Sequence, residues 1–130
     1  MKKTVIALLA VFILLFGASA AFAQYKDGEF TAKDRADKQG YVGDIKLMVE
    51  GGKIVKIEFD ELKGKDSKKA SNYVNGEMKK RNGITWVDAL KKIEDNLLKT
   101  QDPDKIDKVT GATGLTKRVS ELAKKALVKK

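Results

Sequence analysis

The sequence predicts an α+β fold: a small antiparallel sheet, built as an N-terminal meander, covered by C-terminal helices. Three observations lead there. Between Tyr41 and Phe59 apolar and polar residues alternate on either side of Gly51-Gly52, the pattern of a hairpin with one buried face. From Trp86 onward the apolar residues recur at helical spacing instead. The change of period falls across one charged stretch, Lys63 to Lys69, so strands and helices are segregated along the chain.

The chain has 130 residues, and the first 23 read as a secretory signal. Met1 to Lys3 carry positive charge, Thr4 to Phe16 are apolar, and the small-residue tail Gly17 to Ala23 offers Ala21-Phe22-Ala23 ahead of Gln24. Cleavage there leaves residues 24–130 as one exported domain, in the periplasm or at the cell surface. Left uncleaved, Thr4 to Ala23 would match the roughly 20 residues that cross a bilayer as a helix. No cysteine follows the apolar run, which excludes a lipid-modified N-terminus.

Tyr25 to Gly28 reads as a turn into a short strand, Glu29 to Lys33, with Phe30 and Ala32 on one face. After a polar loop, Asp34 to Gly40, the alternation of Tyr41, Gly43, Ile45, Leu47 and Val49 predicts a second strand. Gly51-Gly52 suits the positive φ angles of a tight hairpin. A third strand, Ile54 to Phe59, then alternates through Val55, Ile57 and Phe59. Ser67 to Arg81 is the first helix, interrupted by Gly76 and closed by Asn82-Gly83 as a left-handed cap. The second helix has Thr85 as N-cap, Asp88 at its third position and a stripe of Trp86, Leu90, Ile93 and Leu97, with Pro103 preventing its continuation. Trp86 on that stripe reads as core. Asp102 to Lys108 connects to a last helix whose stripe of Leu115, Val119, Leu122, Ala123, Ala126 and Leu127 packs on the sheet.

Composition removes whole classes of chemistry. There are no cysteines and no histidines, hence no disulfide, thiolate nucleophile, cysteine-held cluster, His-ligated zinc or haem, and no Ser-His-Asp triad. Any chemistry comes from a bound organic group or from carboxylates, hydroxyls and lysines. Residues 24–130 hold 25 basic and 18 acidic side chains, a net +7. The lysines are spread along the chain without interleaved aromatics, and export also argues against a nucleic-acid partner. An anionic wall or membrane surface remains a reading of that charge.

The stretch Asp107 to Thr116, D-K-V-T-G-A-T-G-L-T, enters the last helix with three threonine hydroxyls and two glycines. Unpaired N–H groups and the helix dipole at such a place favour an anion such as a phosphate, although Thr and Gly before a helix are also ordinary capping residues. Thr113 is the leading candidate, with Thr110, Gly111, Ala112, Thr116 and Asp107 around it.

These residues resemble the exported FMN-binding domains, a family akin to the flavin-carrying C and G subunits of bacterial sodium-pumping and ferredoxin-linked redox complexes. The resemblance rests on Asp27-Gly28-Glu29-Phe30, on Gly52-Lys53-Ile54, on Tyr73, Met78, Gly83 and Trp86, on Asp102-Pro103-Asp104-Lys105, and on D-x-x-T-G-A-T as Asp107, Thr110, Gly111, Ala112 and Thr113. Gly114-Leu115 departs from the bulkier or more polar residues often found there. The resemblance implies that a flavin transferase, dependent on FAD and magnesium, joins FMN to the Thr113 hydroxyl as a phosphoester. It gives Asp107 a part in binding the transferase's metal or in orienting the hydroxyl. It further implies a monomeric electron carrier, not itself an enzyme, serving a membrane or extracytosolic redox partner. The alternatives are a basic surface-binding module without cofactor and a small flavin-dependent reductase.

Overall fold

The computed structural model describes residues 24–129; the signal-peptide expectation for residues 1–23 lies outside them. Four strands, β1 (Gly28–Lys33), β2 (Val42–Glu50), β3 (Lys53–Lys63) and β4 (Asp66–Ser67), form an antiparallel sheet in that order. Three helices follow, α1 (Asn72–Asn82), α2 (Trp86–Thr100) and α3 (Thr113–Ala126), with a 3-10 turn at Pro103–Lys105 before the last. The α+β meander with C-terminal helices is therefore the observed architecture.

Ile45, Leu47 and Val49 of β2 point to the same side as Ile54 and Phe59 of β3, and all are buried against α2 and α3. The predicted stripes form that cover: Trp86, Leu90, Ile93 and Leu97 from α2, and Leu115, Val119, Leu122, Ala123 and Ala126 from α3. Each fully buried Ile or Leu contributes about 2 kcal/mol of burial free energy. Trp86 lies in the core, stacked on Phe59 at 6.2 Å between ring centroids.

Three elements differ from the sequence expectation. β3 runs to Lys63, and Val55 lies outside its inward face. Met48 pairs with Lys56 and Val49 with Ile54, so Val55 is the extra residue of a β-bulge, and the inward face continues through Phe59 to Glu61. The charged stretch Lys63 to Lys69 contains the two-residue strand β4. The first helix begins at Asn72, because the Ser71 hydroxyl accepts the Val74 N–H as N-cap; Gly83 closes it in the left-handed conformation, as expected. α2 ends at Thr100, three residues ahead of Pro103, which bars its continuation as expected, and the cap itself is Gln101. Gln101 takes a left-handed conformation (φ 60°), and its amide holds β3 by accepting the Ile54 N–H (2.7 Å) and donating to the Ile54 carbonyl (2.9 Å).

One polar cluster fixes α3 against the sheet. Arg118 donates to both oxygens of Asp34 (2.6 and 2.8 Å), to Asp37 (3.2 Å), to Glu61 (2.5 Å) and to the Tyr41 carbonyl (2.8 Å). Glu61, 4% exposed, also accepts from Lys68 and from the Trp86 indole. Gly43 makes room for it: a Cβ there would lie 2.9 Å from Arg118 Nε. The cluster joins the β1–β2 loop, β3, α2 and α3, and so sets where α3 begins.

Candidate functional site

The loop before α3 is held at both ends. On one side Asp107 meets Asn96 of α2 in a two-point contact: its N–H donates to Asn96 Oδ1 (2.8 Å), and its Oδ2 accepts from Asn96 Nδ2 (3.0 Å). On the other, Gly111 (φ +84°) lies against the end of α1, where a Cβ would come within 2.5 Å of the Asn82 carbonyl oxygen. Glycine is required there twice over, by backbone conformation and by space. Val109, between these fixed points, and Ala112, just after the second, are buried, and the Ala112 N–H closes a turn onto the Val109 carbonyl (2.9 Å).

This geometry separates the three threonines. Thr113 is the first residue of α3 and is exposed, with no hydrogen-bond partner for its hydroxyl among the described residues. Thr116 lies one turn further on, with its hydroxyl already donating to the Ala112 carbonyl (2.9 Å). Thr110 is exposed on the α2 side, at the meeting of two shallow clefts that carry Lys79, Lys91, Lys92 and Lys108. The six predicted residues thus occupy one loop and helix start, but Thr110 and Thr116 are set apart from the Thr113 hydroxyl.

The helix start has the character a phosphate needs. Ala112 is the N-cap and supplies no side-chain hydrogen bond. The first paired N–H of the helix belongs to Thr116, donating to Ala112 (3.0 Å), which leaves the N–H groups of Thr113, Gly114 and Leu115 without partners among the described residues. No acidic side chain stands in this first turn to compete for them. At Gly114 an added Cβ would meet nothing within 4 Å, so the backbone is open to close approach. A phosphate-bearing cofactor such as FMN therefore fits the residues present: a free hydroxyl, free backbone donors and the positive end of a helix.

Sequence reasoning missed the Arg118 cluster and Asn96. A signal existed for the first: Glu61 continues the inward alternation of Ile57 and Phe59, and a carboxylate at an inward position needs a buried cation. Asp34 and Asp37 titrate below the ordinary carboxylate range. Burial opposes their charge, but Arg118 and the Gly43 N–H outweigh it at Asp34, as do the Tyr41 and Gln39 N–H groups with Lys68 and Arg118 at Asp37.

Residues 40–128 match the sequence pattern of the FMN-binding domain family. Among solved structures, the crystal structure of the CPE2226 protein from Clostridium perfringens is similar at 30% identity and a TM-score of 0.74, over 79% of this chain and 86% of that one. A solution structure of a protein from Clostridium thermocellum is similar at 27% identity and a TM-score of 0.52, over 78% of this chain and 88% of the other. No curated protein matches the chain. With the family pattern spanning β2 to the end of α3 and the motif loop inside it, the chain belongs to the FMN-binding domain family.

Proposed function

We propose that the protein is an exported electron carrier whose FMN is joined by a phosphoester to Thr113. One observation carries the reading: within D-x-x-T-G-A-T, Thr113 is exposed and opens a helix, and neither its hydroxyl nor the first three N–H groups of that helix have a partner among the described residues. In the attachment step the Thr113 hydroxyl oxygen forms a bond to the FMN phosphorus of FAD. The pyrophosphate bond to AMP breaks, AMP leaves with that electron pair, and the hydroxyl proton passes to solvent or to a base of the transferase. The three free N–H groups stabilise the resulting phosphodiester anion. FMN supplies reversible electron transfer when bound, and this chain supplies its tether, orientation and surrounding charge.

Covalent attachment also suits export, since a dissociable cofactor lost outside the cytosol is not replaced. The test is to purify the full chain from a host containing a flavin transferase, denature it, and record intact mass and visible absorbance. A yellow colour that survives denaturation and bleaches on reduction, with the mass of one esterified FMN, is expected. Loss of all flavin on denaturation would defeat the covalent reading, and a protein colourless from the start would defeat the carrier reading.

A further inference from the structure

We infer that Asn96 is a positioning residue for flavin attachment: it holds Asp107 so that the motif meets the transferase already in its reactive shape. The inference rests on the attachment proposed above. Asn96 is three turns into α2, eleven residues before Asp107, and outside the motif itself. Its side-chain amide nevertheless makes both halves of a closed pair with Asp107, accepting from the backbone N–H at 2.8 Å and donating to one carboxylate oxygen at 3.0 Å.

That pairing does two things at once. It fixes the backbone where the motif begins, complementing the packing of Gly111 against Asn82 at the other end. It also occupies only Oδ2 of Asp107, so the carboxylate is oriented while Oδ1 has no partner among the described residues and stays available to an incoming cation or donor. Asp107 is exposed and Asn96 half-buried, beside a cleft that also contains Lys92, Lys108 and Thr110, so the pair shapes the edge of an accessible loop. A loop ordered before encounter spares the transferase the cost of ordering it, which is a gain in binding.

Asparagine meets this need as aspartate cannot. A carboxylate at position 96 would still accept the Asp107 N–H, but its second oxygen would face Asp107 Oδ2 across about 3 Å. Two carboxylates so placed repel when both are ionised and share a proton when one is protonated.

The test measures initial rates of flavin attachment from FAD and magnesium by a flavin transferase, using the full chain as substrate and in-gel flavin fluorescence as readout. For Asn96→Ala we expect kcat/KM about tenfold lower, with the loss in KM and little change in kcat. For Asn96→Asp, the rate relative to wild type should be lowest near pH 8 and recover as the pH falls toward 5. The same ratio for Asn96→Ala should stay level with pH, and circular dichroism should show that variant as folded as wild type, because a shortage of folded substrate would also raise KM. Attachment to Asn96→Ala at the wild-type kcat/KM, or a pH-independent ratio for Asn96→Asp, would overturn the inference while leaving the attachment site intact. Failure of the wild-type chain to accept flavin would overturn the underlying reading as well.

Discussion

At the scale of single residues, the cluster around Arg118 is the main polar support of the domain, and it is satisfied on every side. Its side chain is 15% exposed, and that of Glu61 is 5% exposed. Replacing Arg118 by Met strands Glu61, Asp34 and Asp37 together and should cost about 3 kcal/mol in a urea denaturation series at pH 7. The same residues set an acid limit. Because Asp34 and Asp37 have folded pKa values below their unfolded ones, their contribution is complete above the free-aspartate value of about 3.9 and is lost as pH falls through the lower folded values. Wild-type stability should therefore fall steeply below about pH 4, and Arg118→Met should show a flatter dependence there. Equal slopes would show that the acid sensitivity lies elsewhere. Little of this could be read ahead of the structure, since Arg118 reaches partners 57 to 84 residues away and only the inward position of Glu61 hinted at it.

At the scale of elements, legibility followed the strength of the periodic signal. α2 and α3 carry strong apolar stripes, and both were expected with their burial faces. The start of α1 was misplaced because that helix has no buried residue, and its limits are set by Ser71 and Gly83 rather than by a stripe. The single-residue bulge at Val55 shifted the inward face of β3, a change of register that alternation alone does not reveal. Two glycines at positive φ offer a direct comparison. Gly83 caps α1 in open space, so Gly83→Ala meets only the conformational penalty of roughly 1 kcal/mol. Gly111→Ala adds a clash with the Asn82 backbone and must displace the motif loop, costing about 2 kcal/mol or more. Thermal melts should rank Gly111→Ala clearly below Gly83→Ala, and the former should also impair flavin attachment. A Gly111→Ala protein as stable as Gly83→Ala would show that the loop yields easily.

At the scale of the whole molecule, the sheet, α2 and the Arg118 cluster all fix the start of α3, where the D-x-x-T-G-A-T residues lie. The motif and the choice of Thr113 as its leading hydroxyl were legible in the sequence, while the hydrogen-bond surroundings of its threonines were not. It took the fold to show the Thr116 hydroxyl engaged with Ala112, Thr110 on the α2 side, and Thr113 at the helix mouth without a partner among the described residues. The net +7 of residues 24–130 adds an expectation at this scale. If the charge guides the carrier to an acidic redox partner, electron-transfer rates should fall as ionic strength rises to physiological values, where screening acts over about 8 Å. A rate insensitive to salt would exclude electrostatic guidance. The central claim, that Thr113 carries the flavin, is tested most directly by in-gel flavin fluorescence of denatured Thr113→Val, Thr110→Ser and Thr116→Val proteins, each co-expressed with a flavin transferase. No fluorescence is expected from Thr113→Val with its fold intact, and retained fluorescence from the other two. Undiminished fluorescence from Thr113→Val, or its loss from Thr116→Val alone, would contradict it.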